Sequence, residues 1–373
     1  MAYQNIGTPR FYVSVLQWLK SLEKISIGNI YEIGATSQEA LSLLDLNPTH
    51  TKVSNAAFDG DYEVVQYSID DPIANYTYEN QGFVMLLNHN FKSAGASVKI
   101  KEEDGNSCGT PNNDTAINAG ISSSWATPNY DGWSLWTFDD ISDLSTEETL
   151  KFVMTNADDS GTFGSIPLKL GSFLLGNYYD MSPPNLNLTM KREYGGIKTI
   201  ETIKGTSLSN SFYRGSPSWG DVGAWELHSG TPLDKALRTL SHSGRRVWDL
   251  SFSHLQDRDV FGSNQSLSKL LYTGGGTIAY GGATIPDTSS GYNTSDLHLI
   301  INDMFSRAVG FNDNILTHNN FFSQVWHKTL GGTLPFIFQP DSSNDNADQF
   351  AICKFKDNSL KVTQTAFNVY DIS

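Results

Sequence analysis

Short apolar or alternating runs, each closed by glycine, proline, serine or asparagine, fill most of this chain and restrict it to folds built from short strands. The runs GFVMLLNHN (82–90), ASVKIKEED (96–104), GWSLWTFDD (132–140), TLKFVMTN (149–156) and IPLKLGSFLLGNYYD (166–180) follow one another without a helical pattern between them. Strands of that kind bury their apolar faces against a second sheet, so residues 60–182 are expected to form a β-sandwich. With 32 glycines and 13 prolines in 373 residues, turn-formers are plentiful enough to separate that many strands.

The opening segment is the exception. Thr8 can cap a helix, Pro9 suits its first position, and Tyr12, Val15, Leu16, Leu19 and Leu22 recur at helical spacing, which predicts a helix ending near Glu23. Residues 1–59 are thus expected to be a short N-terminal helix and an extended arm, with a second helical pattern in SQEALSLLDLNP stopping at Asn47-Pro48. Ser182-Pro183-Pro184-Asn185 continues neither a ladder nor a helix and marks a boundary. Beyond it, LNLTMKREY (186–194) and GIKTIETIKG (196–205) alternate and are predicted to pair across Gly195-Gly196. RRVWDLSFSHL (245–255) reads as a third strand, 256–320 as a long loop insertion with a helix at 295–309, and 334–341, 349–355, 359–367 and 368–373 as further strands. Residues 183–373 then form a second β domain.

Charge narrows the function. Lys and Arg number 25 against 40 Asp and Glu, a net charge of −15, and no basic run is present, which argues against nucleic acid as partner. No stretch approaches the ~20 apolar residues of a membrane span, and MAYQNIGTPRFYV lacks the pattern of a secretory leader, so no membrane insertion is expected. Cys108 and Cys353 are too few and too far apart for a disulfide framework or a zinc site.

Enzyme motifs are largely missing: there is no G-x-S-x-G, H-E-x-x-H, Walker loop or C-x-x-C. The run from Gly274 to Ala279 fits G-x-G-x-x-A formally but lacks the strand-to-helix context of a dinucleotide site. His242, His254, His318 and His327 have no metal-ligand spacing. Asp139, Asp140, Asp143, Glu147 and Glu148 could supply the carboxylate pair of a sugar hydrolase, yet they suit strand ends and turns equally well. PDSSNDNADQ (340–349) is rich in oxygen ligands without the glycine and terminal glutamate of an EF-hand. The expectation is therefore no catalytic residue, no metal and no cofactor.

Aromatic residues carry the remaining signal. Trp125, Tyr130 and Trp133, close to Trp136, offer flat rings of the kind that stack on sugars, which makes them candidate glycan-binding residues; the competing role is sandwich core, expected at least of Trp136. Trp219, Trp225 and Trp248 with Arg214, Arg245 and Arg246 have the Trp and Arg bias of subunit interfaces, or alternatively form cation–π stacks within one subunit.

The runs GFVMLLNHNFKSAGASVKI, IPLKLGSFLLGNYYDMSPPNLNLTMKREYGGIKTI, SPSWGDVGAWEL, GRRVWDLSFSHL and FFSQVWHKTLGGTLPFIFQPD resemble virion proteins of tailed bacteriophages, in particular tail proteins of marine phages, over residues 80–373. The resemblance implies that Asn88-His89-Asn90 and Lys169-Leu170-Gly171 belong to a galactose-binding-like jelly roll. It implies further that Pro335 to Phe338 and Ile352 to Phe355 close a β-barrel like the belt of distal tail proteins. The implied fold is mainly β, a jelly-roll sandwich plus a barrel-like domain. The implied role is a ring of copies joining the tail tube to the baseplate or receptor-binding apparatus, assembled in the host cytoplasm and located in the virion. A capsid decoration protein and a module that binds host-surface glycan are the alternatives.

Overall fold

The computed structural model describes residues 6–30, 37–47, 52–53, 62–70, 76, 81–102, 111–122, 125–138, 149–156, 166, 168–186, 188–193, 199–209, 225, 227, 245–255, 257–260, 270–273, 277–280, 283–285, 315–316, 319–367 and 369–372. Over these residues the chain is mainly β.

A seven-stranded antiparallel sheet organises the molecule. Its order is Ala351–Cys353, Phe336–Gln339, Arg10–Ser14, Ser172–Asp180, Gly82–His89, Gly132–Phe138 and Pro111–Ile117. Each of the segments 1–59, 60–182 and 183–373 therefore contributes to one hydrogen-bonded sheet, and the expected boundaries near 59 and 182 run through its ladder. The predicted helix from Thr8 to Glu23 is corrected accordingly. Its first part is the strand Arg10–Ser14, and only Val15–Ser21 is helical, capped by the Ser14 hydroxyl accepting from the Gln17 N–H rather than by Thr8. Phe11, Tyr12 and Val13 prefer extended backbone, and strand 172–180 pairs with all three while 336–339 pairs with Phe11 and Tyr12, so the helical spacing of Tyr12 with Val15 and Leu16 is fortuitous.

A six-stranded antiparallel sheet, in the order Ile25–Ile30, Tyr62–Ile69, Thr149–Asn156, Ala96–Glu102, Trp125–Pro128 and Ala119–Ser122, packs on part of the first. Val84, Leu86, Trp136, Phe138, Phe173 and Leu175 meet Tyr67, Val98, Ile100, Leu150 and Phe152 there, with Leu16 and Leu19 of the 15–21 helix closing the side. This two-sheet packing is what the apolar runs require, and Trp136 lies in its core as expected.

The same face of the long sheet builds a second core farther along. Phe11 and Val13 point into it beside Phe336 and Phe338, facing the π-helix Phe322–His327 through Val325 and a three-stranded sheet of Phe252–Leu255, Val369–Ile372 and Val362–Ala366. Strand 172–180 links the two cores, giving Phe173 and Leu175 to one and Tyr179 to the other. Alternate residues Tyr12, Phe83, Met85, Leu87, Trp133, Leu174 and Ile337 face the opposite way and are sealed by Phe350, with Trp225 packed alongside. Strands 82–89 and 132–138 are consequently buried along their whole length, which explains why their sequences read as apolar runs rather than alternations.

One glycine is fixed by this geometry. Where strand 10–14 turns into its helix, a Cβ on Gly176 would lie 2.0 Å from the Val13 carbonyl oxygen and 2.7 Å from the Val15 nitrogen. Close by, Arg10 closes the ladder with a bidentate ion pair, Nε to Asp180 Oδ1 at 2.6 Å and Nη2 to Oδ2 at 2.8 Å.

Two corrections concern the segment after the proline pair. Residues 186–194 and 196–205 do not pair with each other. Thr189–Glu193 pairs with Arg245–Asp249, and Thr199–Glu201 forms a local hairpin with Ser207–Ser209. The local turn wins because Gly205 takes a left-handed φ of +80°, and the Thr202 N–H donates to the Thr206 carbonyl at 2.8 Å. The run 245–255 is two strands, broken at Leu250 and Ser251, and its second half pairs with 369–372. Within the expected loop insertion 256–320, Leu270–Thr273, Thr277–Tyr280 and Ala283–Ile285 form an antiparallel meander, while the helix expected at 295–309 lies outside the described residues.

Candidate functional site

The candidate sugar-binding residues are not gathered. Trp133 is corrected to a core residue: it is 1% exposed, its ring sits 4.9 Å from Phe350 and 5.3 Å from Trp225, and its Nε1 donates to the Trp225 carbonyl at 3.2 Å. It belongs to the seven-stranded sheet and points away from the sandwich interior, so burial depends on this outer cover. Trp125 is half-buried on the other sheet with the Lys99 ammonium 5.5 Å from its ring centre. Tyr130 is 46% exposed and lies in the bend after the 125–128 strand, on the way into strand 132–138. No shared platform for a pyranose results from these three positions.

The arginine and tryptophan cluster divides as well. Arg214 and Trp219 lie outside the described residues. Trp225 is partly buried against Trp133 and Phe350 inside the same chain. Arg246 is spent internally too: it donates to the carbonyls of Asp348 at 2.5 Å and Phe350 at 2.6 Å, and its guanidinium lies 4.9 Å from the Trp248 ring. Trp248 in turn packs on Phe338 at 5.3 Å. Those contacts fasten strand 245–249 to the body and hold down the 347–350 segment that covers Trp133. Arg245, next in sequence and on the opposite face, is exposed.

The Asn88-His89-Asn90 strand end and Lys169-Leu170-Gly171 do come together. Asn90 Oδ1 accepts the Lys169 N–H at 2.7 Å, and the Gly171 N–H donates to the Leu87 carbonyl at 3.0 Å. Asn88 adopts a left-handed φ of +52° and forms a bulge in the ladder, where His89 pairs with Gly132 and Leu87 with Trp133. His89 is 2% exposed and neutral: burial pushes its pKa down to about 3 against the opposing effect of a backbone bond at Trp133. Its Nδ1 accepts the Phe91 N–H at 3.3 Å, which leaves Nε2 to donate to Ser134 Oγ at 2.8 Å. Ser134 passes its own proton to the Asn118 carbonyl at 3.2 Å. A serine beside a histidine is here a buried fastening, because Ser134 is wholly enclosed and its hydroxyl points away from the imidazole. Asp131 is similarly committed, accepting from both the backbone N–H and the hydroxyl of Ser93.

The acidic residues Asp139, Asp140, Asp143, Glu147 and Glu148 lie outside the described residues, as do Cys108, His242 and His318. In the 340–349 segment, Asp341 Oδ1 accepts the Ser343 N–H at 3.1 Å and its hydroxyl at 2.7 Å, so the oxygen-rich sequence builds turns. No group of three His, Cys, Asp or Glu capable of holding a metal gathers among the described residues. Thr277–Tyr280 is a strand, so the glycines before it do not open a helix. Cys353 is half-buried against the second core, and desolvation there pushes its thiol up to about 12 and keeps it protonated.

Two features went unread in the sequence. Lys328 is completely enclosed after the π-helix, its ammonium donating to Gln324 Oε1 at 2.7 Å, and burial pushes its pKa down to about 7. The second is the hairpin 199–209, whose strand residues described for burial are all exposed, Ile200 at 67% and Leu208 at 60%, as is Ile203 in its turn at 106%. Ile200 and Leu208 are direct cross-strand partners and so share one face. The alternation of GIKTIETIKG carried that signal, but only the structure establishes that nothing in the described chain covers it.

Among the described residues no helix is long and apolar enough to cross a membrane. Compared with protein-family models, curated proteins and solved structures, the chain matches none.

Proposed function

We propose that this chain is a structural component of a tailed-bacteriophage virion, a distal tail or baseplate ring protein that joins the tail tube to the receptor-binding apparatus. The observation that carries the reading is the contrast between a body whose central sheet is sealed on both faces and a hairpin that leaves its apolar residues in water. A chain built that way is made to meet other subunits. The resemblance of residues 80–373 to phage tail proteins supplies the kind of assembly. On this reading the paired sheets are the galactose-binding-like jelly roll. The second core, with Phe336–Gln339 and the 369–372 strand, is the belt.

Labelling intact particles with an antibody to this chain tests the proposal. Label confined to a ring at the tail tip is the expected result. Label on the capsid shell, or none on any particle, overturns it.

A further inference from the structure

We propose that residues 320–334 form a lid over the second core, and that this lid opens on its own when the Lys328 amine takes up a proton. The device follows from packing within one chain and does not depend on the assembly reading.

Backbone bonding makes the segment self-contained. The N–H groups of Ser323 and Gln324 donate to Asn320, the first to its side chain at 2.7 Å and the second to its carbonyl at 2.9 Å. Those of Thr329, Leu330, Gly331 and Leu334 reach carbonyls of Val325, His327, Trp326 and Thr329, and that of Gly332 reaches the Thr329 hydroxyl. The lid can therefore lift without breaking a rung of the long sheet. Side chains hold it shut: Phe321 packs 5.5 Å from Phe11, Trp326 5.1 Å from Phe355, and His327 5.6 Å from Trp18. Its middle is a π-helix, a rare form that recurs at functional sites. Its end is strained, since Leu330, at φ +53°, shares the left-handed conformation of Gly331 and Gly332.

Lys328 supplies the trigger. It is wholly enclosed, and its nitrogen has one acceptor, Gln324 Oε1 at 2.7 Å, where an ammonium has three protons to place. The Ser323 hydroxyl, in the same segment, is enclosed with no partner. A lid that closes over such groups is stable with a neutral amine and stressed by a charged one.

No neighbouring element brings a compensating carboxylate. Within the lid the other titratable group is His327, whose pKa is pushed down by burial and by the Lys328 charge. Strand 10–14 sends Phe11 and Val13 to this core and turns Arg10 and Tyr12 to its other face. Strand 172–180 sends Tyr179, which burial keeps protonated, while Asp180 is taken by Arg10. Helix 15–21 sends Trp18, and its Lys20 pairs with Asp45. The 353–360 stretch sends Phe355, with Cys353 protonated and Lys354, Lys356 and Asp357 exposed. From the far side of the core come Val260 and Ile372; Asp259 beside the first acts on Tyr179, and His254 is exposed. Burial is the cause that acts on Lys328, and none of these charges offsets it.

Hydrogen exchange on the full chain, resolved by residue and corrected for the intrinsic effect of pH, tests this. The amides of Thr329 and Gly331 are expected to exchange faster than those of strand 82–89 at every pH, the mark of an opening smaller than unfolding. In the open lid the amine returns from about 7 to its ordinary 10.5, so protection of these amides is expected to fall roughly fiftyfold or more from pH 9 to pH 6. Lys328→Met, with Lys328→Leu as a second filling of the same space, is expected to remove that fall, and His327→Gln to keep most of it. Lid amides as protected as strand 82–89, a protection indifferent to pH, a fall that persists in both Lys328 variants, or one abolished by His327→Gln overturns the proposal.

Discussion

The central sheet and the 199–209 hairpin are made of similar residues and live in opposite environments. Strand 82–89 is buried on both faces, one side against the second sheet and the other beneath Phe350, while Ile200 and Leu208 pair across a ribbon with water over them. β-Branched and aromatic residues supply β propensity in both places, Phe83 and Val84 in the strand and Thr199 and Ile200 in the ribbon. The difference is how many layers the chain can bring to each. The sheet receives covers from segments hundreds of residues apart, and the ribbon receives none from the described chain. Stability therefore concentrates in the first region and unspent apolar surface in the second.

The contrast fails most visibly if Gly176→Val is tolerated. A Cβ there runs into the Val13 backbone, so the variant is expected to lose more than about 4 kcal/mol or to yield no soluble protein, read by urea denaturation and expression. Next in size is Trp133→Ala, expected to cost about 3–5 kcal/mol because it opens a cavity beneath Phe350, whereas Tyr130→Ala changes the urea midpoint little.

Lys328 gives an intermediate effect with a pH signature. Its folded pKa of about 7 lies below the ordinary value, so between pH 7 and 10.5 the unfolded chain holds a proton that the folded one lacks. Stability is expected to rise with pH across that window, and Lys328→Met is expected to abolish the rise and to add on the order of 1–3 kcal/mol at pH 6. His89 acts on the acid side. With its folded pKa depressed to about 3, the unfolded chain protonates first as pH falls below 6.5, and stability is lost at up to about 1.4 kcal/mol per pH unit down to 3. His89→Gln, followed by denaturation across that range, is expected to flatten this part of the curve. The smallest effect belongs to the ribbon: Ile203→Ser is expected to change the stability of the isolated subunit by less than about 0.5 kcal/mol, and a larger loss means that the hairpin is packed on its own body.

How much of this was legible follows the distance over which each feature is determined. Strands 82–89, 132–138, 149–156 and 172–180 could be read because their apolar runs are local. Strand 10–14 could not, since its extended state is imposed by partners that begin far downstream, and five residues at helical spacing described the helix after it equally well. Trp133 illustrates the limit for the candidate site. Its strand was legible, but which face it turns to was not, and the cover that buries it arrives from Trp225 and Phe350. The Arg245-Arg246 pair was legible as a cluster but not as two fates, one guanidinium turned to carbonyl oxygens and the other to solvent. The bare hairpin was visible as a pattern, while its bareness is a property of everything else in the fold.

Strand 10–14 also sets a timetable for synthesis. Arg10 waits for Asp180, 170 residues later, and Tyr12 for Gln339, 327 residues later. At ribosomal speeds the first wait is ~10–30 s and the second about twice that. Throughout it, Phe11, Tyr12 and Val13 leave the exit tunnel as an unpaired apolar strand. Four strands of the central sheet lie between residues 82 and 180 and can pair before then, but the sheet is complete only once residues 336–353 have emerged, so the longest exposure falls on its N-terminal strand.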